Sequence, residues 1–365
     1  MTVLCGLPNY PQGRIFPGYE DEAKRLEMID GVRVVRCPQI PRGGNPLTLL
    51  LNYWTFAKNA GKAVKGLDPD FDLVLGYQLS PVTSMLPAVK YKKLHGTPLL
   101  MYCLDLWPVS GQSHLPVKNG LVYRWLCRLS KRIYQSFDRI LVTSKPFIKY
   151  LNSVNGIPLE RMGYLPQHAD TSMIGMDLQA EDNGVADFMY AGNLGAGATL
   201  DVIVNAAKLL GPRKDYKVHF VGNGSKRAEL ENLVDKYGLR DNFVFHGNQK
   251  RADMPDFYRM ADVLLITLRG NNAVGDTMPG KLQMYMTTGK PILGAINGAA
   301  NEVISEAGCG ACVDAGDYRG LAKLMEDYIA NPGQYDGCGE KARSFFLSHF
   351  TLDRFMDGLE EEIQR

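Results

Sequence analysis

Strand-like and helix-like segments alternate along most of the 365 residues, and this alternation predicts an α/β protein of two Rossmann-like domains in series. Two further observations point the same way. The chain is longer than one compact core usually fills. Its strand candidates are short, nearly continuous apolar runs, as expected of parallel strands covered by helices on both faces. Hydrophobic residues make up 45% and charged residues 22%, which excludes a disordered chain, a collagen-like repeat and a polytopic membrane protein. No apolar run approaches the roughly 18 residues of a membrane-spanning helix.

The chain opens on a strand at residues 2–5, without the strand and helix that usually start such a domain. Short β segments follow at 33–37, 72–76, 98–104 and 139–143, with helices at 47–65, 84–94 and 121–136 between them. Residues 164–183, with Pro166 and a polar run at 179–184, lack periodicity and read as the junction. The second half resumes with strands at 187–191, 217–221, 242–245, 263–267 and 291–295, and helices at 200–210, 225–237, 254–261 and 281–288. Pro332-Gly333 breaks the chain before a charged helical stretch at 339–364. The expected domains are 1–170 and 171–342, with a C-terminal helix at 343–365 packing back on the first domain.

The N-terminus has no basic segment leading into an apolar one, so no signal peptide is visible. The seven cysteines are an odd, scattered set, which argues against a disulfide framework and for the cytosol. Cys309-Gly-Ala-Cys312 has a redox or zinc spacing but no second pair and no nearby histidine cluster, and reads as a glycine-rich turn entering a strand. His95, His114 and His349 show no ligand spacing, and His168 reads as structural at the junction. No metal site is expected. The net charge of +2 conceals an asymmetry. Residues 1–170 carry 21 Lys and Arg against 12 Asp and Glu, a balance of +9, and the remainder carries −7. The first half is therefore expected to meet something anionic.

In open parallel sheets, ligands sit at the carboxyl ends of strands, where loops and helix N-termini offer N–H donors. Three strands of the second half end in glycine, at Gly192 and Gly195, at Gly222 and Gly224, and at His246-Gly247. Further along, Pro279-Gly-Lys-Leu282 starts a helix, with Pro279 at a first-turn position and Gly280, Lys281 and Leu282 turning free N–H groups toward an anion. Lys281 adds a full positive charge.

These segments, in order, carry a resemblance. Ala191-Gly-Asn-Leu-Gly195, Phe220-Val-Gly-Asn-Gly224, Phe245-His-Gly247, Pro279-Gly-Lys-Leu282 and Gly289-Lys-Pro-Ile-Leu293 resemble the donor domain of two-domain GT-B glycosyltransferases. They are most similar to the family 4-like bacterial sugar transferases of O-antigen, capsule and colanic-acid synthesis. In the first half, Pro8-Asn-Tyr-Pro-Gln-Gly-Arg14, Asp105-Leu-Trp-Pro108, Thr143-Ser-Lys-Pro-Phe147 and Tyr164-Leu-Pro-Gln167 resemble the same subgroup. The resemblance implies two Rossmann-like domains facing a cleft and a nucleotide-diphosphate sugar as a substrate rather than a cofactor. It also implies metal-independent, retaining transfer to a lipid-linked saccharide. By position, Gly192, Asn193, Gly195, Gly222, Gly224, His246 and Gly247 would hold the donor. Its diphosphate would rest on Pro279, Gly280, Lys281 and Leu282, with Arg269 assisting. Asp105 would face the cleft as the catalytic candidate, and Asn9, Tyr10 and Arg14 lie on the acceptor side.

The sequence also departs from the family pattern. Two glutamates eight residues apart are replaced by Asp276 and Met284, which leaves Glu302 as a candidate for the ribose contact. The basic pair after the first donor strand is replaced by Asn193 and uncharged residues 195–199. With the abrupt start, these departures also admit a truncated or degenerate non-catalytic paralogue, and a nucleotide-sugar 2-epimerase shares the architecture. The apolar, aromatic stretch 46–56, followed by Lys58, Lys62 and Lys65, and a second helix striped with Arg124, Arg128, Lys131 and Arg132 could seat the basic half on an anionic inner-membrane face. The alternative is that 49–56 is core and the cations are solvated. No nucleic-acid module is recognisable.

Overall fold

The structure, a computed structural model, describes residues 1–10, 12–110, 120–270 and 277–365. The chain forms two compact units, Met1–Tyr164 and Leu165–Arg365.

Unit 1 holds two sheets rather than one. β1 (Thr2–Gly6) pairs in parallel with β3 (Val32–Cys37), and β2 (Leu26–Ile29) adds to β3 antiparallel. The second sheet runs β4 (Val74–Gln78), β5 (Leu99–Cys103), β6 (Arg139–Val142) and β7 (Met162–Tyr164), all parallel. β5 is buried along its whole length, as its unbroken Leu-Leu-Met-Tyr-Cys run requires. Among the described residues, four α-helices accompany the sheets: α1 (Pro46–Ala63), α2 (Leu86–His95), α3 (Leu121–Gln135) and α4 (Lys145–Asn155). Asn45 caps α1 by accepting the Thr48 N–H at 2.9 Å, and Pro46 occupies the first turn.

Stretch 46–56 is divided between the two readings given above. Asn52 and Thr55 face inward, whereas Leu47, Leu50 and Trp54 are exposed, and Lys58 lies 4.4 Å from the Trp54 ring centroid. On α3, Leu121, Val122 and Trp125 are exposed beside exposed Arg124, Arg128, Lys131 and Arg132. Among the described residues, no helix is long and apolar enough to cross a membrane.

Unit 2 is a six-stranded parallel sheet in the order β10-β9-β8-β11-β12-β13. Its strands are β8 (Ala186–Ala191), β9 (Tyr216–Val221), β10 (Phe243–Gly247), β11 (Val263–Thr267), β12 (Ile292–Ala295) and β13 (Gly310–Val313). The order reverses between β8 and β11, and this switch point is where open α/β sheets leave a crevice for ligands. One apolar cluster packs α5 (Asp201–Leu210), α6 (Arg227–Lys236) and α10 (Tyr318–Ala330) on one face. A second packs α7 (Met254–Met260), α8 (Gly280–Thr288), α9 (Gly298–Ala307) and α11 (Cys338–His349) on the other. The C-terminal stretch expected as one helix is two: α11 ends at His349, and Thr351 caps α12 (Leu352–Gln364) by accepting the Arg354 N–H. Cys309 and Cys312 enter β13 as free thiols, each pushed up to about 12 by burial.

Candidate functional site

The carboxyl ends of β8 and β9 and the segment after β10 enclose a cavity of about 370 Å³ in unit 2. Ala191, Gly192 and Asn193 form one wall and Val221, Gly222 and Asn223 the next, with Asn248, Gln249, Met254 and Tyr258 closing it. Glycine is required here by contact. Gly222 has φ 134°, and a Cβ there would lie 2.0 Å from the Gly192 carbonyl oxygen. The two loops are stitched together where side chains would have held them apart: Gly192 N–H donates to Val221 O at 2.8 Å and Leu194 N–H to Asn223 O at 2.9 Å. Gly222 N–H then donates to Gly247 O at 2.8 Å, so the three strand ends are fixed in register.

α8 delivers the charge. Tyr285, fully buried, accepts the Ala191 N–H at 2.8 Å and donates to Ala191 O at 3.2 Å, which ties α8 to the end of β8. One turn earlier, Lys281 lies over the Tyr190 ring with Nζ 3.3 Å from its centroid. Its Cε and Nζ come so close to Gly192 that a Cβ there would sit 3.0 Å from each. Burial pulls the Lys281 ammonium down from 10.5 to about 7, with no carboxylate partner among the described residues. Pro279 is the N-cap residue rather than the first helical one, and it offers no side-chain cap. The Leu282 N–H is engaged by Pro279 O at 2.9 Å and its side chain is core, so of the three N–H groups expected to meet an anion that of Leu282 is already taken.

Of the other expected donor residues, Gly195 and Gly224 do not line the cavity. Gly224 packs so tightly on Asn193 and Leu194 that a Cβ would come within 2.5 Å of both. Arg269 is exposed, donates its N–H to Gly197 O at 3.0 Å and brings its guanidinium to Ala196 O. Glu302 is exposed on α9. Asp276 lies outside the described residues.

His246 occupies the extra position of a β-bulge in β10, because the register against β9 shifts between Phe245 and Gly247. The bulge aims its ring at His219, with Nε2 2.9 Å from His219 Nδ1, and His219 Nε2 is 2.8 Å from the buried Asp187 carboxylate. The carboxylate accepts, so His219 donates to it from Nε2, and its Nδ1 shares the second hydrogen bond with His246 Nε2. Burial alone would raise the Asp187 carboxyl, but hydrogen bonds from His219 and Asn183 hold it below its usual range. His246 is lowered by burial and by its neighbour. The sequence reading assigned no role to Asp187 or His219. Their signal was polarity inside otherwise apolar strands.

In unit 1, the ends of β1 and β4 and the face of α1 enclose a second cavity of about 370 Å³. Asn9 and Tyr10 line it, whereas Arg14 is exposed and does not. Asp105 follows β5 and accepts a hydrogen bond from Ser80, a cavity-lining residue. Burial raises its carboxyl, partly offset by Ser80, Ser110 and the Leu106 backbone. Arg42, not singled out by the sequence reading, also lines this cavity.

Comparison with known proteins agrees with this geometry. Residues 1–167 match the family described as glycosyl transferase 4-like domain, and residues 178–345 match glycosyl transferases group 1. A probable glycosyltransferase, WbjE of Pseudomonas aeruginosa, is 25% identical over 58% of this chain and 54% of its own length. The chain thus spans about half of that relative, and only 13% of a maize sucrose-phosphate synthase that it also matches. Mannosylfructose-phosphate synthase of Agrobacterium fabrum is 23% identical over 90% of this chain and 77% of its own. Among solved structures, Anabaena HepE in complex with UDP superposes with a TM-score of 0.69 at 14% identity, covering 91% of this chain and 86% of that one. WaaG, described as a glycosyltransferase involved in lipopolysaccharide biosynthesis, gives 0.64 at 15% identity, covering 98% of both chains. With both family matches in chain order, two α/β units and glycine-ended strands at the switch point of unit 2, the chain belongs to the GT-B glycosyltransferases.

Proposed function

We propose that the protein moves a sugar from a nucleotide-diphosphate donor to a lipid-linked saccharide in surface polysaccharide synthesis, with the donor in unit 2 and the acceptor on unit 1. The observation that carries the proposal is Lys281: a buried ammonium at the start of α8, with no carboxylate partner among the described residues, is costly unless an anion arrives. The UDP named in the HepE complex supports a nucleoside diphosphate as that anion. In the transfer, the bond from the anomeric carbon to the diphosphate oxygen breaks and the diphosphate leaves with the electron pair. The acceptor hydroxyl oxygen bonds to that carbon and releases its proton. Charge grows on the leaving diphosphate, so Lys281 and the α8 N–H groups stabilise the transition state more than the ground state. In this proposal they act in place of a metal ion, and the anomeric configuration is retained. Asp105 orients the acceptor or its proton.

The exposed Leu121, Val122 and Trp125 with the arginines of α3 support seating at an anionic membrane face, where each basic residue is worth ~1 kcal/mol. A thermal-shift screen against UDP, GDP, ADP and their sugars tests the donor half. Saturation at about 100 times Kd should stabilise the fold by ~2.7 kcal/mol, and a flat screen refutes it. Co-sedimentation with phosphatidylglycerol vesicles tests the membrane half: binding should weaken in Trp125→Ala and vanish on phosphatidylcholine alone.

A further inference from the structure

A row of titratable groups crosses the sheet of unit 2 from strand to strand: Asp187 on β8, His219 on β9 and His246 on β10. None of the three lines the cavity at the strand ends. Burying such a row is costly unless every member is paired. Both carboxylate oxygens of Asp187 are used, one by His219 Nε2 and the other by the Asn183 amide at 3.1 Å. The imidazole planes of His219 and His246 lie 14° apart with centroids at 5.2 Å, and Phe257 of α7 meets the His246 ring at 5.1 Å and 73°. His246 is thus held between the sheet and α7.

What the ring holds in place is the bulge. His246 O accepts the Gln249 side-chain amide at 2.7 Å, and Gln249 is part of the cavity wall. The next residue, Gly247, turns at φ 74°, and its carbonyl accepts the N–H of cavity-lining Gly222 at 2.8 Å. Two sides of the cavity therefore hang on backbone atoms that the His246 ring anchors.

The contact between the rings has room for one hydrogen. His219 presents Nε2–H to the carboxylate, and a single hydrogen lies between His219 Nδ1 and His246 Nε2, 2.9 Å apart. With both rings neutral, it is bound to His246. When a proton enters at His246 Nδ1, the shared hydrogen either stays or crosses to His219, where the positive charge meets Asp187, and the contact survives both ways. A second proton puts hydrogens on both facing nitrogens, which then repel. Among the described residues, the charged groups that act on this row are Lys217 of β9, near Asp187, and Asp262, whose carboxylate accepts the Asp187 N–H at 2.8 Å and is flanked by Lys290 and Asp182. From α6, Arg227 lies 6.0 Å from the Phe245 ring centroid and is paired with Glu231, and α7 faces His246 with uncharged Phe257. Asp187, held below its ordinary 3.8, stays a carboxylate while the rings titrate.

We infer that Asp187, His219 and His246 form a positioning latch for the cavity of unit 2, closed while the histidine pair carries at most one extra proton and opened by the second. The inference rests on the donor reading only for the use of UDP as a second reporter.

The test follows the Gly222 amide of the full chain by NMR hydrogen exchange from about pH 7.5 to 4.5, as protection relative to the intrinsic rate, with ring ¹⁵N spectra reporting the charge of both histidines. Wild-type protection should fall about tenfold or more as the second ring becomes cationic, while the β11 amides stay protected. His219→Gln keeps a nitrogen donor for Asp187 and sets a carbonyl oxygen against His246, an acceptor whether that ring is neutral or cationic. Its Gly222 protection should match wild type near neutral pH and stay flat in acid. His246→Phe keeps a ring beside Phe257 but no nitrogen, and should leave Gly222 poorly protected at every pH. UDP affinity is compared between proteins at one pH, so that ionisation of the nucleotide and of Lys281 cancels. It should agree within about twofold near neutrality and be several-fold tighter in His219→Gln near pH 5. Wild-type protection that holds after both rings are cationic, or that is lost only together with β11, overturns the inference. So does a His219→Gln variant that fails in acid as wild type does, a His246→Phe variant that keeps wild-type protection, or UDP affinity indifferent to Gly222 protection. If no UDP binds while Gly222 follows the expected course, the donor reading falls and the latch stands.

Discussion

Binding of a nucleoside diphosphate should draw a proton from solution, and Lys281 is the group that takes it. Its ammonium is pulled from 10.5 to about 7 by burial, which corresponds to a penalty on the order of 5 kcal/mol on the charged form. At pH 8 the free protein then holds this site about one-tenth protonated. A diphosphate brought to the same pocket reverses the balance, because an opposite charge within a few ångströms restores the ammonium. UDP is fully ionised at pH 8 and brings no proton of its own, so binding should take up about 0.9 proton from the buffer. Titration calorimetry in buffers of different ionisation enthalpy measures this directly as the slope of apparent enthalpy against buffer enthalpy. The uptake should fall as the pH drops through about 7, where Lys281 becomes charged in the free protein, and should vanish at pH 8 in Lys281→Met. The same shift makes the unliganded fold gain stability as pH rises from about 7 toward 10, since the unfolded chain binds the proton that the folded one sheds. UDP binding with no proton exchange at pH 8 in the wild type would show that Lys281 does not face the diphosphate.

Three other substitutions probe separate parts of the molecule. Gly222→Ala forces a side chain at φ 134° and against Gly192 O, so thermal unfolding should show a loss of at least roughly 1–3 kcal/mol, with UDP affinity lost alongside it. His219→Leu strands the buried Asp187 carboxylate and frees the His246 bulge, and urea unfolding at pH 7 should report a cost of about 3–5 kcal/mol. In the wild type, the lowered Asp187 carboxyl stabilises the fold above its ordinary value of 3.8, and that contribution should disappear as pH falls through the lower folded value. Asp105→Asn should leave UDP affinity and Tm unchanged or improved, because burial makes the charged carboxyl a net cost at neutral pH. Sugar transfer followed by nucleotide release should nonetheless fall; unaltered transfer would remove Asp105 from the chemistry.

The parallel strands of unit 2 were legible because each is an apolar run closed by a turn signal. The expected 263–267 matches β11 to the residue, and Gly289, Gly308 and Gly247 end their elements at positive φ. β2 and β7 were missed for physical reasons. β2 is a short edge strand with mostly exposed side chains, and β7 has three residues that pair only with β6. Neither carries a pattern that periodicity can detect. The site divided along the same line. Glycines at strand ends and a lysine after a helix-starting proline speak locally, through backbone geometry and dipole, so Gly192, Gly222 and Lys281 could be named without tertiary knowledge. Arg42, Asp187 and His219 act through partners distant in sequence. Asp187 and His219 are 32 residues apart, and Arg42 N–H meets Asn9 across 33. A polar residue inside a strand shows that a partner must exist, because burying it unpaired would cost too much, but it does not say which one. Lys281 spans both cases. Its position was readable, whereas its ring contact with Tyr190, its burial and the resulting low pKa belong to the assembled sheet. Those tertiary facts turn an ordinary helix-start lysine into a site whose charge state should follow its ligand.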